Sequence, residues 1–310
     1  MSGIGVISNP KSGRNKRNPG LARKLAYILG DRNILAQPDH LDGLAQVARH
    51  FKEHAVEVLC INGGDGTMHT VLSTFLREYG DTPLPRIALL RGGTMNTMAR
   101  NIGLTGTPES ILGRIVSAYA ADEPLSYAER NLLVVDGQQA GFLFGNGLIS
   151  SFLEAYYEGG DASPWKAVKV LVHACCSAIV GGKFIKRLLR PVKVKVTVDG
   201  EAWPLSEYLS VAAGTTPDVA FGFRPFFRSL HYPDSMHAMG FACSITDLVK
   251  ALPTVRLARP INHPDVLEKV GRRMVLEADE PISYMVDGDF HTGGTTLTVE
   301  VGPRLKLING

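Results

Sequence analysis

Cysteine is scarce: four in 310 residues, two of them adjacent at Cys175 and Cys176. So few thiols cannot build the disulfide framework of a small secreted protein. A reducing, cytoplasmic setting follows, and burial suits Cys175-Cys176 better than metal binding. Excess charge of one sign is also missing. The 33 basic and 30 acidic side chains leave a net charge of +3, too little for the electrostatic footprint of a nucleic-acid binder. No apolar run reaches the roughly 20 residues of a membrane span. The longest weakly polar stretch, Val170 to Gly182, is interrupted by His173 and Ser177. The opening MSGIGVISNP has neither the basic nor the long apolar region of a signal peptide. The nine histidines show no HExxH and no paired-ligand spacing, so no zinc site is expected. Internal repeats and low-complexity tracts are absent. Hydrophobic residues at 45% and charged residues at 20% are ordinary for a folded chain. At about 150 residues per domain, the length allows two.

The first third alternates strand and helix patterns. Gly3 to Ser8, Val56 to Ile61 and Arg86 to Leu90 are short apolar runs, read as buried parallel strands. Ile34-Leu35 suggests a further strand. Helices are expected over Pro19 to Leu29, with Pro19 in the first turn, Leu41 to Phe51, Met68 to Leu76, Asn96 to Ile102 and Pro108 to Ala121. This alternation predicts an α/β domain with a parallel sheet covered on both faces, over residues 1–125. From Ser126 the pattern changes to β-type runs (Leu132 to Val135, Val192 to Val198, Tyr208 to Ala213), with turn signals at Asp136-Gly137 and Asp199-Gly200. A mainly antiparallel β-sandwich domain is expected over 126–295, with a helical insertion at about 150–190. The segment 296–310 is strand-like, broken at Gly302-Pro303, and expected to pack back on the first domain.

Three polar, glycine-containing loops follow the buried strands: Asn9-Pro10-Lys11-Ser12-Gly13, Gly63-Gly64-Asp65-Gly66-Thr67 and Gly92-Gly93-Thr94-Met95-Asn96. In an open α/β sheet, ligands bind beyond the carboxyl ends of the strands. Glycine there lets the backbone approach a phosphate, and a following helix N-terminus favours its charge. Glycine also punctuates ordinary turns, but three such loops at one sheet edge, each with a hydroxyl or an Asn, are harder to dismiss as punctuation. Neither a P-loop nor a Gly-x-Gly-x-x-Gly fingerprint is present. Instead Asp65 stands within the second loop. A carboxylate among phosphates is repulsive unless it meets Mg²⁺ or an acceptor proton, and phosphoryl transfer requires both.

The second loop resembles the GGDGT signature shared by diacylglycerol kinases, sphingosine kinases and NAD kinases. Asn9-Pro10-x-Ser12-Gly13 resembles the first nucleotide loop of the lipid-kinase branch. Gly93-Thr94-Met95-Asn96, leading to Ala99-Arg100, resembles its GT-x-N-D-x-A-R loop. Met285-Val286-Asp287-Gly288-Asp289 resembles its V/L-DGE turn. These four motifs occur in the family's order and span most of the chain. The resemblance implies an ATP- and Mg²⁺-dependent lipid kinase of two domains, the second closing a cleft on the first. It implies that Asn9, Pro10, Ser12, Gly13, Gly63, Gly64, Gly66, Thr67, Gly93, Thr94 and Asn96 contact ATP. Asp65 would handle Mg²⁺ or the acceptor hydroxyl, Asp289 would be the general base, and Asp287 would orient the loop near the metal. Asp234 is a candidate for a second, structural metal.

Two positions depart from the family pattern. Thr97 stands where Asp is usual, and Asp289 where Glu is usual. They motivate a reading of another class, a nucleotide-binding regulator without turnover. NAD kinase is the alternative within the superfamily. The expected partner is a lipid hydroxyl at a membrane surface, with no nucleic acid. Trp165 to Leu189 reads as an apolar helix leading into basic residues, suited to peripheral contact with the inner face of an anionic membrane, or to plain packing. Phe221 to Arg228 is either the rim of a lipid pocket or aromatic core, and Glu154 a candidate head-group contact. Homodimers are common among soluble proteins, and one is compatible with this chain.

Overall fold

In the computed structural model, residues 3–30, 34–148, 191–219 and 222–310 are described. The expected helical insertion, with Glu154, Cys175, Cys176 and the apolar-basic segment 165–189, lies outside them, as does Phe221. The chain divides into two compact units, Met1–Arg130 with Pro303–Gly310, and Asn131–Gly302.

The first unit is built on parallel strands β1 (Ile4–Ser8), β2 (Ile34–Ala36), β3 (Val58–Asn62) and β4 (Arg86–Leu89), in the order β2-β1-β3-β4. Every residue of β1 and β3 is buried, as expected of strands covered on both faces. Helix α1 (Gly13–Arg17) follows the first loop. It is followed by α2 (Leu21–Leu29), α3 (Leu41–Glu53), α4 (Asp65–Tyr79), α5 (Thr97–Asn101) and α6 (Pro108–Ala120). α2 buries Leu21, Leu25 and Leu29, one row at i, i+4, i+8, and packs on α6. α3 packs on α4 through Phe51, whose ring meets Phe75 edge-on at 6.0 Å. Gly5 makes room for that ring: a Cβ there would lie 2.2 Å from Phe51. Pro19 does not open α2. It stands two residues before Leu21, with Gly20 at the cap.

The second unit has two antiparallel sheets. One runs β14-β13-β12-β7-β16-β17, from Val266–Gly271, Met236–Phe241, Ser210–Gly214, Leu143–Asn146, Ser283–Val286 and Asp289–Thr292. The other joins β10 (Glu201–Ala202), β9 (Lys195–Val198), β15 (Arg273–Glu277) and the start of β18 (Thr296–Ile308), with β5 (Tyr127–Val135) and β6 (Gln139–Gly141) beside it. A short pair, β8 (Val192–Lys193) and β11 (Glu207–Tyr208), stands apart. Both sheets contribute to one core. Val196, Val198, Leu276 and Val299 from one meet Phe144, Val211, Ala238 and Val286 from the other. β9 and β15 alternate buried and open positions, whereas β12 and β13 are buried throughout. The far face of β12 and β13 carries a second cluster of Ala212, Met239, Phe241 and Phe226, joined by Leu248 of α7 (Ile245–Arg256). Pro253 lies inside α7, which disguises that helix in the sequence.

β18 is not broken at Gly302-Pro303. Its first residues pair antiparallel with β15, from Thr296 to Glu300, and its last pair parallel with β4 at Leu307 and Ile308. Pro303 falls between these two pairings. Gly302 is there for space, since a Cβ would come 2.5 Å from Val134.

Phe51→Ala is expected to cost about 3–5 kcal/mol, the range for removing a fully buried aromatic ring. Urea unfolding measures it. A cost below about 1 kcal/mol would show that the α3–α4 packing does not rest on this ring.

Candidate functional site

The three loops of the first unit are fastened to one another by short side chains. Asn9 Nδ2 donates to Thr67 Oγ1 at 2.9 Å, and Ser12 Oγ lies 3.2 Å from the same oxygen. That cluster joins loop one to loop two. Arg14 N–H donates to Gly92 O at 3.0 Å, and Gly13 is so close to Thr94 that a Cβ would lie 2.5 Å from its hydroxyl. Those contacts join loop one to loop three. Loops two and three meet backbone to backbone, because a Cβ on Gly93 would fall 2.2 Å from Gly64 Cα.

Asn96 holds loop three in shape. It adopts left-handed backbone (φ 48), accepts from Gly93 N–H at 3.1 Å and donates to Gly93 O at 2.8 Å. Asn is among the few residues that tolerate this conformation. Beneath the loops, Asn15 Nδ2 donates to Asn9 O at 2.7 Å and to Asn62 O at 3.1 Å, while Asn62 Nδ2 reaches Ser8 Oγ at 2.9 Å. These two buried amides escape a search for glycine. Their signal is position, one beside each loop.

Asp65 is not in the loop itself. Gly64 caps α4, so Asp65, Gly66 and Thr67 form the first helical turn, where a carboxylate is favoured by the helix dipole. Its side chain turns to loop three. Thr97 N–H donates to Oδ2 at 3.1 Å and Met98 N–H to Oδ1 at 3.4 Å. Burial raises the Asp65 pKa above its usual range. The two amides, the Arg100 charge and the Thr97 hydroxyl pull the other way without cancelling it. An ionised carboxylate has about four acceptor sites, so these donors leave capacity for a cation. A cation there would favour the charged form that burial disfavours. The residues therefore fit Mg²⁺.

A cavity of about 550 Å³ opens beside loop one, with Ser8, Pro10, Asn15, Lys16, Gln37 and Asp39 in its wall. That volume is in the range of small-ligand sites. Gln37 and Asp39 follow β2 at the same sheet edge. Sequence reasoning passed over this fourth loop because it contains no glycine.

The Asp287-Gly288 turn belongs to the second unit, where it joins β16 to β17 with Val286 paired to Asp289. Both turn residues have positive φ, 50 and 97, the two-residue hairpin that Asp-Gly favours. Asp287 accepts from Phe142 N–H at 3.0 Å and from Leu143 N–H at 2.9 Å. Asp199-Gly200 repeats the design, with Asp199 at φ 50 accepting from Arg272 and Arg273 N–H. Asp136, also in a left-handed turn, accepts from Thr298 N–H at 2.7 Å. The Asp287 carboxylate thus does what two turns away from any motif also do, fixing a neighbouring strand. Asp289, the first residue of β17, is only partly buried. Asp234 is exposed, with its Oδ1 meeting the amide of Asn131 at 3.1 Å. In the Phe221 to Arg228 stretch, Phe226 is core and Arg228 pairs with Glu268 at 2.7 Å.

The expectation that no paired histidine spacing is present fails as well. His50 and His54 stand four residues apart on α3 with Glu53 between them, so a paired histidine spacing does exist. Among the described residues, no helix is long and apolar enough to cross a membrane.

A parallel α/β unit with clasped glycine loops, together with an antiparallel two-sheet unit, is the fold class of the diacylglycerol kinases. Residues 3–122 match the family model described as the diacylglycerol kinase catalytic domain. The structure is similar to that of a diacylglycerol kinase from Bacillus anthracis strain Sterne, at 14% identity and TM-score 0.66, covering 99% of this chain and 96% of that one. Two further chains from that organism, provisionally assigned to the same class, match at TM-scores 0.71 and 0.68. Their identities are 17% and 16%; each alignment covers 99% of this chain, and 96% and 97% of theirs. No curated protein matches the chain. At these identities the structures establish the fold alone, and the family match is a similarity confined to residues 3–122. The Asp287–Asp289 turn lies outside the matched stretch.

Because the Asp65 pKa is raised on folding, this group favours the folded state more as pH falls. Its destabilising effect develops as pH climbs from about 4, the unfolded value, through the raised folded value. The melting temperature of the parent minus that of Asp65→Asn should therefore increase as pH is lowered towards 4. A difference independent of pH would show that burial does not govern this carboxylate.

Proposed function

We propose that the protein is an ATP-dependent lipid kinase, transferring the γ-phosphoryl group to the hydroxyl of a diacylglycerol-like or sphingoid-like acceptor. The observation that carries this reading is the fastening of three loops around Asp65 at the carboxyl ends of β1, β3 and β4. Backbone amides and small hydroxyls there suit a polyphosphate, and the matched family is a lipid-kinase domain.

In this reading Asn9, Ser12, Thr67, Thr94 and the loop glycines bind the phosphates. The cavity lined by Lys16, Gln37 and Asp39 takes the nucleoside. Asp65 is the residue that would hold Mg²⁺, together with the donor's phosphates, and the ion supplies neutralisation of the charge on the transferring group. Asp289 accepts the proton of the attacking hydroxyl. A hydroxyl of high pKa loses its proton only as the new bond forms, so the carboxylate acts in the transition state. Asp287 positions the turn that carries Asp289. Most of the acceleration comes from orientation and preorganised charge.

The test is transfer of labelled γ-phosphate from ATP to a total lipid extract with Mg²⁺, with NAD as a separate acceptor. A labelled lipid is expected with the parent and none with Asp65→Asn. Asp289→Asn should lower kcat by about 10²–10⁴-fold, the usual contribution of a general base, and Asp289→Glu should retain far more. Label on NAD alone would make the protein an NAD kinase. ATP binding without transfer to either would make it a regulator.

A further inference from the structure

α3 ends in a turn that the kinase chemistry does not use. His50, Glu53 and His54 are all exposed there, and one ligand atom from each lies within 4.8 Å of the others. The imidazole centroids are 4.0 Å apart with their planes tilted by 43°. Positions i, i+3 and i+4 share one helix face, so the backbone itself sets this grouping.

Three features make this more than a chance cluster. His54 Nδ1 lies 2.9 Å from His50 O, inside hydrogen-bond range. Donation from Nδ1–H to that carbonyl leaves the lone pair of the neutral ring on Nε2, the arrangement typical of a ligating histidine. The neighbouring basic side chains have other partners. Arg49 pairs with Glu78 at 2.8 Å, and Lys52 donates to Tyr79 O at 2.9 Å. The ligands also sit in the last turn, where the helix dipole favours a cation.

We infer that His50, Glu53 and His54 form a binding site for a divalent transition metal of the zinc class. Two imidazoles and a carboxylate are the donor set that borderline-soft ions take, and they leave the fourth tetrahedral position to water. Ligand atoms around zinc stand about 3.3 Å apart for bonds of about 2.0–2.1 Å. Exposed side chains close the remaining distance by rotation. The ion would clamp the end of α3, just before the chain turns at Ala55 (φ 48) and enters β3. Its role is to stabilise the first unit, and it stands independently of the kinase reading.

The experiment is calorimetric titration of the metal-free full chain with Zn²⁺, and with Mg²⁺ as the hard-ion control. One equivalent of Zn²⁺ should be taken up by the parent, lost in His50→Ala and retained in His50→Cys, which keeps a ligand. Cys60 is a poor competitor, because burial pushes its thiol up to about 12. Zn²⁺ should raise the melting temperature of the parent but not that of His50→Ala. The same Zn²⁺ stoichiometry in the parent and in His50→Ala would overturn the site, as would no Zn²⁺ uptake by the parent. Circular dichroism shows whether His50→Ala keeps its fold. If it does not, loss of the equivalent in Glu53→Ala takes its place, and retention there overturns the site.

Discussion

The contact between Gly64 and Gly93 constrains everything else in the first unit. A methyl group on Gly93 would overlap Gly64 Cα at 2.2 Å, and one on Gly64 would meet Gly93 Cα at 3.2 Å. Two strand-to-helix loops can approach this closely only when neither carries a side chain. The approach brings the first turn of α4 within reach of the first amides of α5, which is how Asp65 comes to accept from Thr97 and Met98. The glycines are therefore structural before they are functional. They bring three sets of hydrogen-bonding groups to one sheet edge, and that gathering suits a polyphosphate.

In the second unit the same economy appears in the Asp-Gly turns. Asp136, Asp199 and Asp287 all take left-handed backbone, and all three cap a neighbouring strand with their carboxylates. Two of the three lie outside any motif. The pattern separates the two acidic residues of the Met285–Asp289 motif. Asp287 takes the left-handed turn position and accepts from neighbouring backbone amides, as the other Asp-Gly turns do. Asp289 is not explained that way, since it starts a strand rather than closing a turn.

The strands of the first unit were legible because parallel strands buried on both faces are continuous apolar runs, as in Val58–Asn62. α2 and α3 were legible from their single buried rows. What escaped did so for identifiable reasons. α4 starts three residues before its apolar pattern does, since Asp65, Gly66 and Thr67 look like loop but follow a glycine cap. α7 hides behind Pro253. β18 continues through Gly302-Pro303 because its partner changes there, a tertiary fact with no local signature. In the site, the glycine loops were visible, whereas Asn15, Asn62, Gln37 and Asp39 were not. Buried amides and polar loop residues have no periodicity to betray them. The histidine pair on α3 was visible in principle, as a spacing of four on a helix already recognised.

Thr97 connects these threads. Where the family pattern has a second carboxylate, this chain has a residue that gives Asp65 an amide and a hydroxyl. A carboxylate there would add like-charge repulsion to a group whose ionised form burial already disfavours. Threonine instead supplies donors to that ionised form. The donors only partly offset burial, so the balance still runs against the charge. A divalent cation is what would reverse it. The departure at residue 97 thus reads as a redistribution: an amide and a hydroxyl stand where the pattern has a carboxylate, and backbone amides do the work of orienting Asp65.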